Sequence, residues 1–366
     1  MNVVQKSNPT LSELLEKYSG LITEAPTRKS TSNSDVLLTC ASALDQPKPN
    51  SIIFLNELQA LAEVIQVQPQ VIVLPQKTPE DVLSGIPSDI IILLSPNPKL
   101  AMAMINKEYF SYSRIDGHFD FSESPIHPTA QIHPTAELGQ NVHVGPFAVI
   151  GADSKIGNNS KIAAHAVIEK DCELGEGCVI FSHTTIGWRS RLGQFCVVQS
   201  GCTIGSDGFG YATDEKGQHH GIPHQGRVIL GHHVHIGAGT QIDRGTYGDT
   251  IIGDQTKIDN LVHIAHNCKI GRSCLLTAGF MMAGSSELGD FFVAGGGTFV
   301  TGHIKVTSNV QVAGKSVVHK SVDKSGSYGG YPLVPLKEHL KNLASLGKIT
   351  TLRKDIDTIL KKTGLR

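Results

Sequence analysis

Residues 126–205 read IHPTAQ IHPTAE LGQNVH VGPFAV IGADSK IGNNSK IAAHAV IEKDCE LGEGCV IFSHTT IGWRSR LGQFCV VQSGCT IG, with Ile, Leu or Val at every sixth position. Four residues after these sit small or compact side chains, among them Ala130, Ala148, Ser154, Ser160, Cys172, Cys178, Thr184 and Cys196. Glycine often follows the aliphatic residue directly, as at Gly139, Gly145, Gly151 and Gly157. A period of six fits neither an amphipathic helix nor an alternating strand; it is the signature of a hexapeptide β-solenoid, each hexapeptide forming one flat side of a coil. With three sides to a coil, residues eighteen apart become vertical neighbours, about 4.8 Å apart along the axis.

The period breaks at about Ser206 to Arg227, resumes at Leu230, Ile236 and Ile242, and skips four residues around Tyr247. It then runs from Ile252 to Val318. A long loop leaving a tight coil is more often functional than decorative, because the coil does not need it. The loop contains Asp207, Gly208, Phe209, Gly210 and Tyr211, then Ile222, Pro223 and His224. The shorter break at Arg244 to Asp249 has no obvious purpose.

Before the solenoid, Thr10, Leu11, Ser12 and Glu13 spell a capping box that opens a helix ending near Gly20. Apolar runs at Val36–Thr39, Ile52–Leu55, Val71–Leu74 and Ile90–Leu94 read as strands, and Glu57–Val67 and Lys99–Tyr109 as helices. That alternation implies an α/β domain over residues 1–115, a solenoid over 116–325 and a helical extension over 326–366. In the extension Leu336, Leu340, Leu343, Leu346, Ile349, Leu352, Ile356 and Ile359 form a helical stripe with a break at Gly347. One thin solenoid would leave such a stripe half exposed, which favours packing between copies.

The net charge is −1 with a pI near 7.0, which argues against nucleic acid as a partner. No stretch approaches membrane-spanning length and no leader-like start is present, so a cytoplasmic protein is expected. Six of the seven cysteines, Cys172, Cys178, Cys196, Cys202, Cys268 and Cys274, occupy the small-residue slot of the repeat, which predicts buried thiols and no metal site.

Chemistry then rests on the histidines. His266 is two residues after Ile264 and Gly284 two after Met282, so Gly284 lies one coil directly above His266; His303 falls nearly two coils above. An imidazole base beneath a glycine whose N–H could face a reacting carbonyl suits acyl transfer to an amine or hydroxyl. Asp259 and Asn260 on the neighbouring hexapeptide could orient the base or a ligand. The competing reading is an exposed rung histidine under an ordinary turn glycine, and spacing alone leaves both open.

The runs Ile242-Asp243-Arg244-Gly245, Ile258-Asp259-Asn260, Ile264-Ala265-His266-Asn267, Met282-Ala283-Gly284-Ser285 and Gly302-His303 are more specific. With Asp207-Gly208-Phe209-Gly210-Tyr211 and Ile222-Pro223, they resemble the UDP-3-O-(3-hydroxyacyl)glucosamine N-acyltransferases of lipid A biosynthesis over almost the whole chain. The resemblance implies a mainly β fold: a left-handed parallel β-helix of hexapeptide repeats, an N-terminal α/β uridine-binding domain and C-terminal α-helices. It implies His266 as general base and Gly284 as backbone oxyanion donor. His303 corresponds to a residue near the substrate phosphate, Asp259 and Asn260 to residues near the pantetheine arm, and Lys320 to a basic residue. It also implies a homotrimer with sites between subunits and a UDP-sugar acceptor. The acyl donor would be acyl carrier protein, whose phosphopantetheine arm takes the place of a separate cofactor. Any membrane contact would be peripheral, through the lipid product.

Two departures stand out. The family's uracil clamp has Phe, then Asn three residues later, then an aromatic after three more. Here Phe54 is followed by Glu57 and Ala60, with Asn56 off register. His224 replaces the family's Gln after Ile-Pro. The alternatives are a hexapeptide acyltransferase acting on another nucleotide-sugar amine, the O-acyltransferase that begins the same pathway, a γ-type carbonic anhydrase using zinc, and a structural solenoid. The O-acyltransferase lacks the added N-terminal domain, and the histidine spacing fits zinc poorly.

Overall fold

The structure is a computed structural model that describes residues 8–26, 36–43, 48, 50–66, 68–110, 124–329, 341–342 and 344–364. By contact density the chain divides into two units, residues 1–120 and 121–366.

In the first unit the capping box forms as expected. The Thr10 hydroxyl accepts the Glu13 N–H and the Glu13 carboxylate accepts the Thr10 N–H, opening helix Leu11–Lys17. Five strands pair in the order Thr23–Glu24, Ile91–Ser95, Val71–Pro75, Ser51–Phe54 and Cys40–Ala41, with only the Thr23–Glu24 edge antiparallel. The apolar runs are continuous because the sheet is covered on both faces. Ile52, Val71, Val73 and Leu93 pack with helices Leu11–Lys17 and Pro98–Tyr109, while Ile53, Ile72, Leu74 and Ile92 pack with Leu61 and Leu83. The strand expected at Val36–Thr39 is instead Cys40–Ala41. Leu37 bridges to Thr10, and the Leu11 and Leu38 N–H groups bond Val36 and Pro9 carbonyls, so the N-terminal segment recruits that run. A short helix at Glu80–Ser84 also went unforeseen; no side chain caps its start.

The second unit is a parallel β-solenoid with three faces. One face carries ten strands from Gln131–Ile132 to Val317–Val318, the next nine from Glu137–Leu138 to Lys305–Val306, and the third ten from His143–Val144 to Gly326–Tyr328. In the regular coils the register is eighteen, as in Ile156↔Leu174, Ile162↔Ile180 and Ile168↔Ile186. From Val144 onward the aliphatic column is buried, and so are Ser154, Thr184, Cys178 and Cys196 in the compact column. In the regular coils the third residue after the aliphatic one commonly turns the corner with positive φ, for example Asp153 (59°), Asn159 (59°) and Asn267 (60°). That conformation favours Asn, Asp, His and Gly. The glycine after the aliphatic residue lets coils touch: a Cβ on Gly157 would lie 2.5 Å from backbone of the next coil.

The compact polar residues complete their own bonding. Ser154 donates to Glu169 O at 2.7 Å and accepts the Cys172 N–H at 3.1 Å. Burial pushes the thiols of Cys202 and Cys268 up to about 11, so they remain neutral fillers.

At the two breaks the register lengthens. Val197 pairs with His235 and Gln241 with His263, spacings of 38 and 22 residues. The first break carries an antiparallel hairpin, Tyr211–Thr213 with Gly221–His219. The breaks lock together, Gln225 N–H bonding Thr246 O at 2.7 Å and Gly226 N–H bonding Gly245 O at 2.9 Å. In the C-terminal extension helix Ile349–Lys362 has no buried residue, and the chain turns at Gly347–Lys348 where the stripe was expected to break. Leu336, Leu340 and Leu343 lie outside the described residues.

Candidate active site

His266 leaves the strand His263–Ile264 at a corner of the coil, and its ring lies against Gly284. A Cβ on Gly284 would meet His266 Cε1 and Nε2 at 2.8 Å, so any side chain there would displace the imidazole. Asn267 fixes the ring from the other side. Its Oδ1 lies 3.0 Å from His266 Nδ1 and also accepts the Thr246 N–H at 3.0 Å, while its own N–H bonds Thr250 Oγ1 at 2.9 Å. An amide oxygen only accepts, so Nδ1 carries the proton and Nε2 keeps its lone pair. The shorter second break therefore has a structural role, since its Thr246 and Thr250 orient the amide that sets the tautomer.

The Gly284 N–H is open for a reason visible in the repeat. At several corresponding corners elsewhere in the solenoid, the side chain one coil above caps this group. Asn158 caps Gln140 at 2.7 Å, Asp254 caps His232 at 2.7 Å, Asn260 caps Ala238 at 2.6 Å and Asp290 caps Arg272 at 3.0 Å. Above Gly284 stands Gly302, which has no side chain to offer, and among the described residues the Gly284 N–H forms no hydrogen bond. A free donor beside an unprotonated imidazole nitrogen is the pair that acyl transfer needs.

The long break supplies a second imidazole. His224 is 5% exposed, packs edge-to-face on His266 with centroids 5.5 Å apart, and has no hydrogen bond to Nε2 among the described residues. Gly208 and Gly210 have no room for side chains, since a Cβ on Gly208 would meet His266 Cβ at 2.7 Å and one on Gly210 would meet His224 Cε1 at 2.8 Å. Arg244, fully buried, ties the base of this loop: Nε donates to Gly205 O at 2.8 Å, Nη2 to Trp188 O at 3.1 Å, and the guanidinium lies 4.4 Å from the Trp188 ring. Asp207 Oδ1 sits 3.7 Å from Arg244 Nε. His263 turns its Nε2 toward Asp243 Oδ2 at 3.7 Å, and among the described residues no three potential ligands converge as a metal cluster.

Comparison with known proteins adds an independent line. The profile of the GMPPB C-terminal domain matches residues 126–211. A UDP-3-O-acylglucosamine N-acyltransferase of Methylococcus capsulatus (strain ATCC 33009 / NCIMB 11132 / Bath) is 34% identical over 343 residues, covering 93% of this chain and 93% of that protein. The chain belongs to this N-acyltransferase family. Proteins of the same name from Methylobacterium nodulans and Campylobacter curvus are 46% identical over 145 and 143 residues, 40% and 39% of this chain. Those two alignments span less than half of the relatives' own lengths, 41% and 45%. Among solved structures, the Arabidopsis UDP-N-acetylglucosamine acyltransferase has a TM-score of 0.50 at 28% identity, over 56% of this chain and 71% of that one. The chain is thus an acyltransferase built on a hexapeptide solenoid.

The remaining expected site residues of this N-acyltransferase are spread out. His303 turns the corner above Ser285, exposed, with its N–H on Gly284 O at 3.2 Å. Asp259 and Asn260 sit exposed at the preceding corner, one strand away from His266, where Asp259 Oδ2 accepts the Ala278 N–H at 3.0 Å and Asn260 caps Ala238. Lys320 is exposed at the end of the solenoid. Phe54 and Asn56 belong to the first unit: Phe54 ends a strand, half-buried against the core, and Asn56 is exposed. Asn97 caps helix Pro98–Tyr109 by accepting the Leu100 N–H at 3.0 Å. Of the features around His266, the open corner below Gly302 and the contacts of Asn267 and His224 escaped sequence reasoning. The caps at Asn158, Asp254, Asn260 and Asp290 would have pointed to Gly302, since a glycine at that corner has no side chain to offer the N–H below.

Proposed function

We propose that the chain transfers a 3-hydroxyacyl group from the phosphopantetheine thioester of acyl carrier protein to the 2-amine of a UDP-3-O-acylglucosamine, a step of lipid A synthesis. The observation that carries this reading is the uncapped N–H of Gly284, the residue that lies against an imidazole whose Nδ1 is held by Asn267. As the amine attacks the thioester carbonyl, its proton passes to His266 Nε2 and the carbonyl electrons move onto oxygen, which the Gly284 N–H steadies. Collapse of the tetrahedral adduct re-forms the carbonyl and breaks the C–S bond. The departing thiolate takes the proton from His266, so the base is regenerated and no cofactor is consumed.

His303, two coils above the base, is suited to a phosphate of the nucleotide. Asp259 and Asn260, one corner away, fit a site completed by a neighbouring copy, as in a homotrimer. The faces support such an assembly. The Gln131–Val318 face ends in Met281, Phe299 and Val317, 49%, 37% and 56% exposed, whereas the adjoining face carries the ion pairs Lys269–Glu287 and Lys305–Glu287. Lys320, with Lys315 and Lys324, gives an acidic carrier a basic entrance. Phe54 and Asn56 would contact uracil. Among the described residues no helix is long and apolar enough to cross a membrane.

The test is His266→Ala assayed with the carrier thioester and the UDP-amine. Turnover should fall about a hundredfold or more, the usual share of a general base, while the assembly stays intact. Near-normal turnover would remove the mechanism, and transfer only to a different nucleotide-sugar amine would overturn the acceptor.

A further inference from the structure

The transfer step gives His224 no task, yet the long loop buries this imidazole beside the base. The two rings meet in a T, centroids 5.5 Å apart and planes at 66°, one of the favourable arrangements for aromatic pairs. Gly208 lies against both. A Cβ there would meet His266 Cβ at 2.7 Å, His266 Cδ2 at 3.0 Å and His224 Nε2 at 2.9 Å, so a side chain would force the rings apart. Backbone bonds hold His224 from both sides: the Ile222 N–H bonds Gly210 O at 2.9 Å, and the Gln225 N–H bonds Thr246 O at 2.7 Å. Thr246 in turn donates its own N–H to Asn267 Oδ1 at 3.0 Å. One residue of the shorter break therefore ties together two groups that touch the His266 ring, the Asn267 amide at Nδ1 and the His224 imidazole from the loop. Among the described residues His224 Nε2 has no hydrogen-bond partner, and a buried polar atom left so lowers stability. What His224 supplies to this contact is its flat ring.

We propose that His224 is a positioning residue, which holds the plane of the His266 ring so that Nε2 stays aimed at the acceptor amine. The inference rests on His266 being the base. Asn267 pins the imidazole at one atom, Nδ1, and a ring pinned at one atom can still swing about it. Such a swing leaves the tautomer intact but carries Nε2, across the ring, off the line of proton transfer. Gly284, Gly208 and His224 pack against the ring and stop the swing. Displacing a reacting group by about 1 Å can cost a hundredfold in rate, so a base gains from being wedged as well as bonded. The long loop, which the coil itself does not need, then has a purpose in the transfer step: it delivers the wedge.

The test is a series at position 224 in the full chain, assayed with the carrier thioester and the UDP-amine. His224→Ala should lower kcat about tenfold or more, with KM for the acceptor within about twofold, because the aim of the base is lost and no substrate contact is. His224→Phe keeps a flat ring but has no Nε2, and should bring kcat back to within about threefold of the unchanged protein. A phenylalanine variant as slow as the alanine one would make the polar atom the part that matters, and a raised KM in both would make His224 a substrate contact; either overturns the proposal. The second readout is the cycle with His266→Ala. A residue that acts only through the base should have no effect once the base is gone, so His266→Ala and the double variant should share one residual turnover. A further tenfold fall in the double variant overturns the proposal. If His224→Phe does not fold, this cycle decides alone, with His224→Leu in place of the alanine variant should that one not fold either. An active His266→Ala would instead sink the general-base reading.

Discussion

The coils from Ala152 to Cys202 and those from Ile242 to His303 follow the same six-residue rule, yet the proposed chemistry sits only in the second set. In the first, charged side chains pair across coils, as Arg191 does with Asp171 and Glu173, and some corner N–H groups find a side-chain acceptor, Trp188 in Glu169 and Gln194 in His232. In the second, loops change the register to 22 and 38, and glycine replaces the cap at 302. The proposed site lies where Gly302 offers no cap to the Gly284 N–H and where the long loop brings His224 against His266.

The sharpest way to break this contrast is to make the catalytic corner regular. Gly302→Asn would place over Gly284 the side chain that Asn158 places over Gln140. Gly302 does not adopt positive φ, and a Cβ there would lie 3.1 Å from Gly284 O, a contact that a small shift of the corner relieves. With its N–H capped, Gly284 can no longer steady the oxyanion, and turnover should fall about a hundredfold. Unfolding by denaturant should occur at the same concentration or higher. Full activity in this variant would show that the open N–H is incidental.

Most of the architecture was legible because the period in the solenoid is set by packing: an aliphatic residue inside, a compact residue beside it, and a left-handed turn residue between. The same arithmetic put Gly284 over His266. It could not put His224 beside that histidine, because loop length fixes where a chain leaves and rejoins a coil but not how the loop folds back. Arg244 illustrates the limit: its sequence neighbours Asp243 and Gly245 say nothing of Trp188, Gly205 and Gly226, which it joins. In the first unit the run Val36–Thr39 misled for a related reason, since its partner proved to be the segment around Thr10.

A smaller effect should follow from loosening the loop while leaving the regular coils alone. Arg244→Met deletes a buried cation that satisfies carbonyls of Trp188, Gly205 and Gly226, and methionine cannot donate to them. Removing one partner from such a buried charged network costs about 3 kcal/mol. Here the loss falls on the loop that presses Gly208 and His224 onto His266. Turnover should drop about tenfold, the size expected when a base is held less well. Trp188, the single tryptophan, should report it directly, its emission moving to the red as the guanidinium leaves its face. An unchanged spectrum with unchanged turnover would mean that the loop is held by its backbone bonds to Thr246 and Gly245 alone.

The smallest effect is expected from the converse change, which opens a corner N–H where no base stands above or below it. Asn158→Ala removes the cap from Gln140 while keeping the aliphatic core at Leu138, Ile156 and Leu174. Gln140 is exposed, so water replaces the lost acceptor, and the net cost should be about 0.5–1 kcal/mol, read as a small fall in the denaturation midpoint. Turnover and KM should not change. An uncapped N–H is thus cheap for the fold at either corner, and what gives Gly284 its value is the imidazole lying against it. If Asn158→Ala lowered turnover as much as Gly302→Asn, the two corners would differ only in their effect on coil stability, and the reading of Gly284 as the oxyanion donor would lose its support.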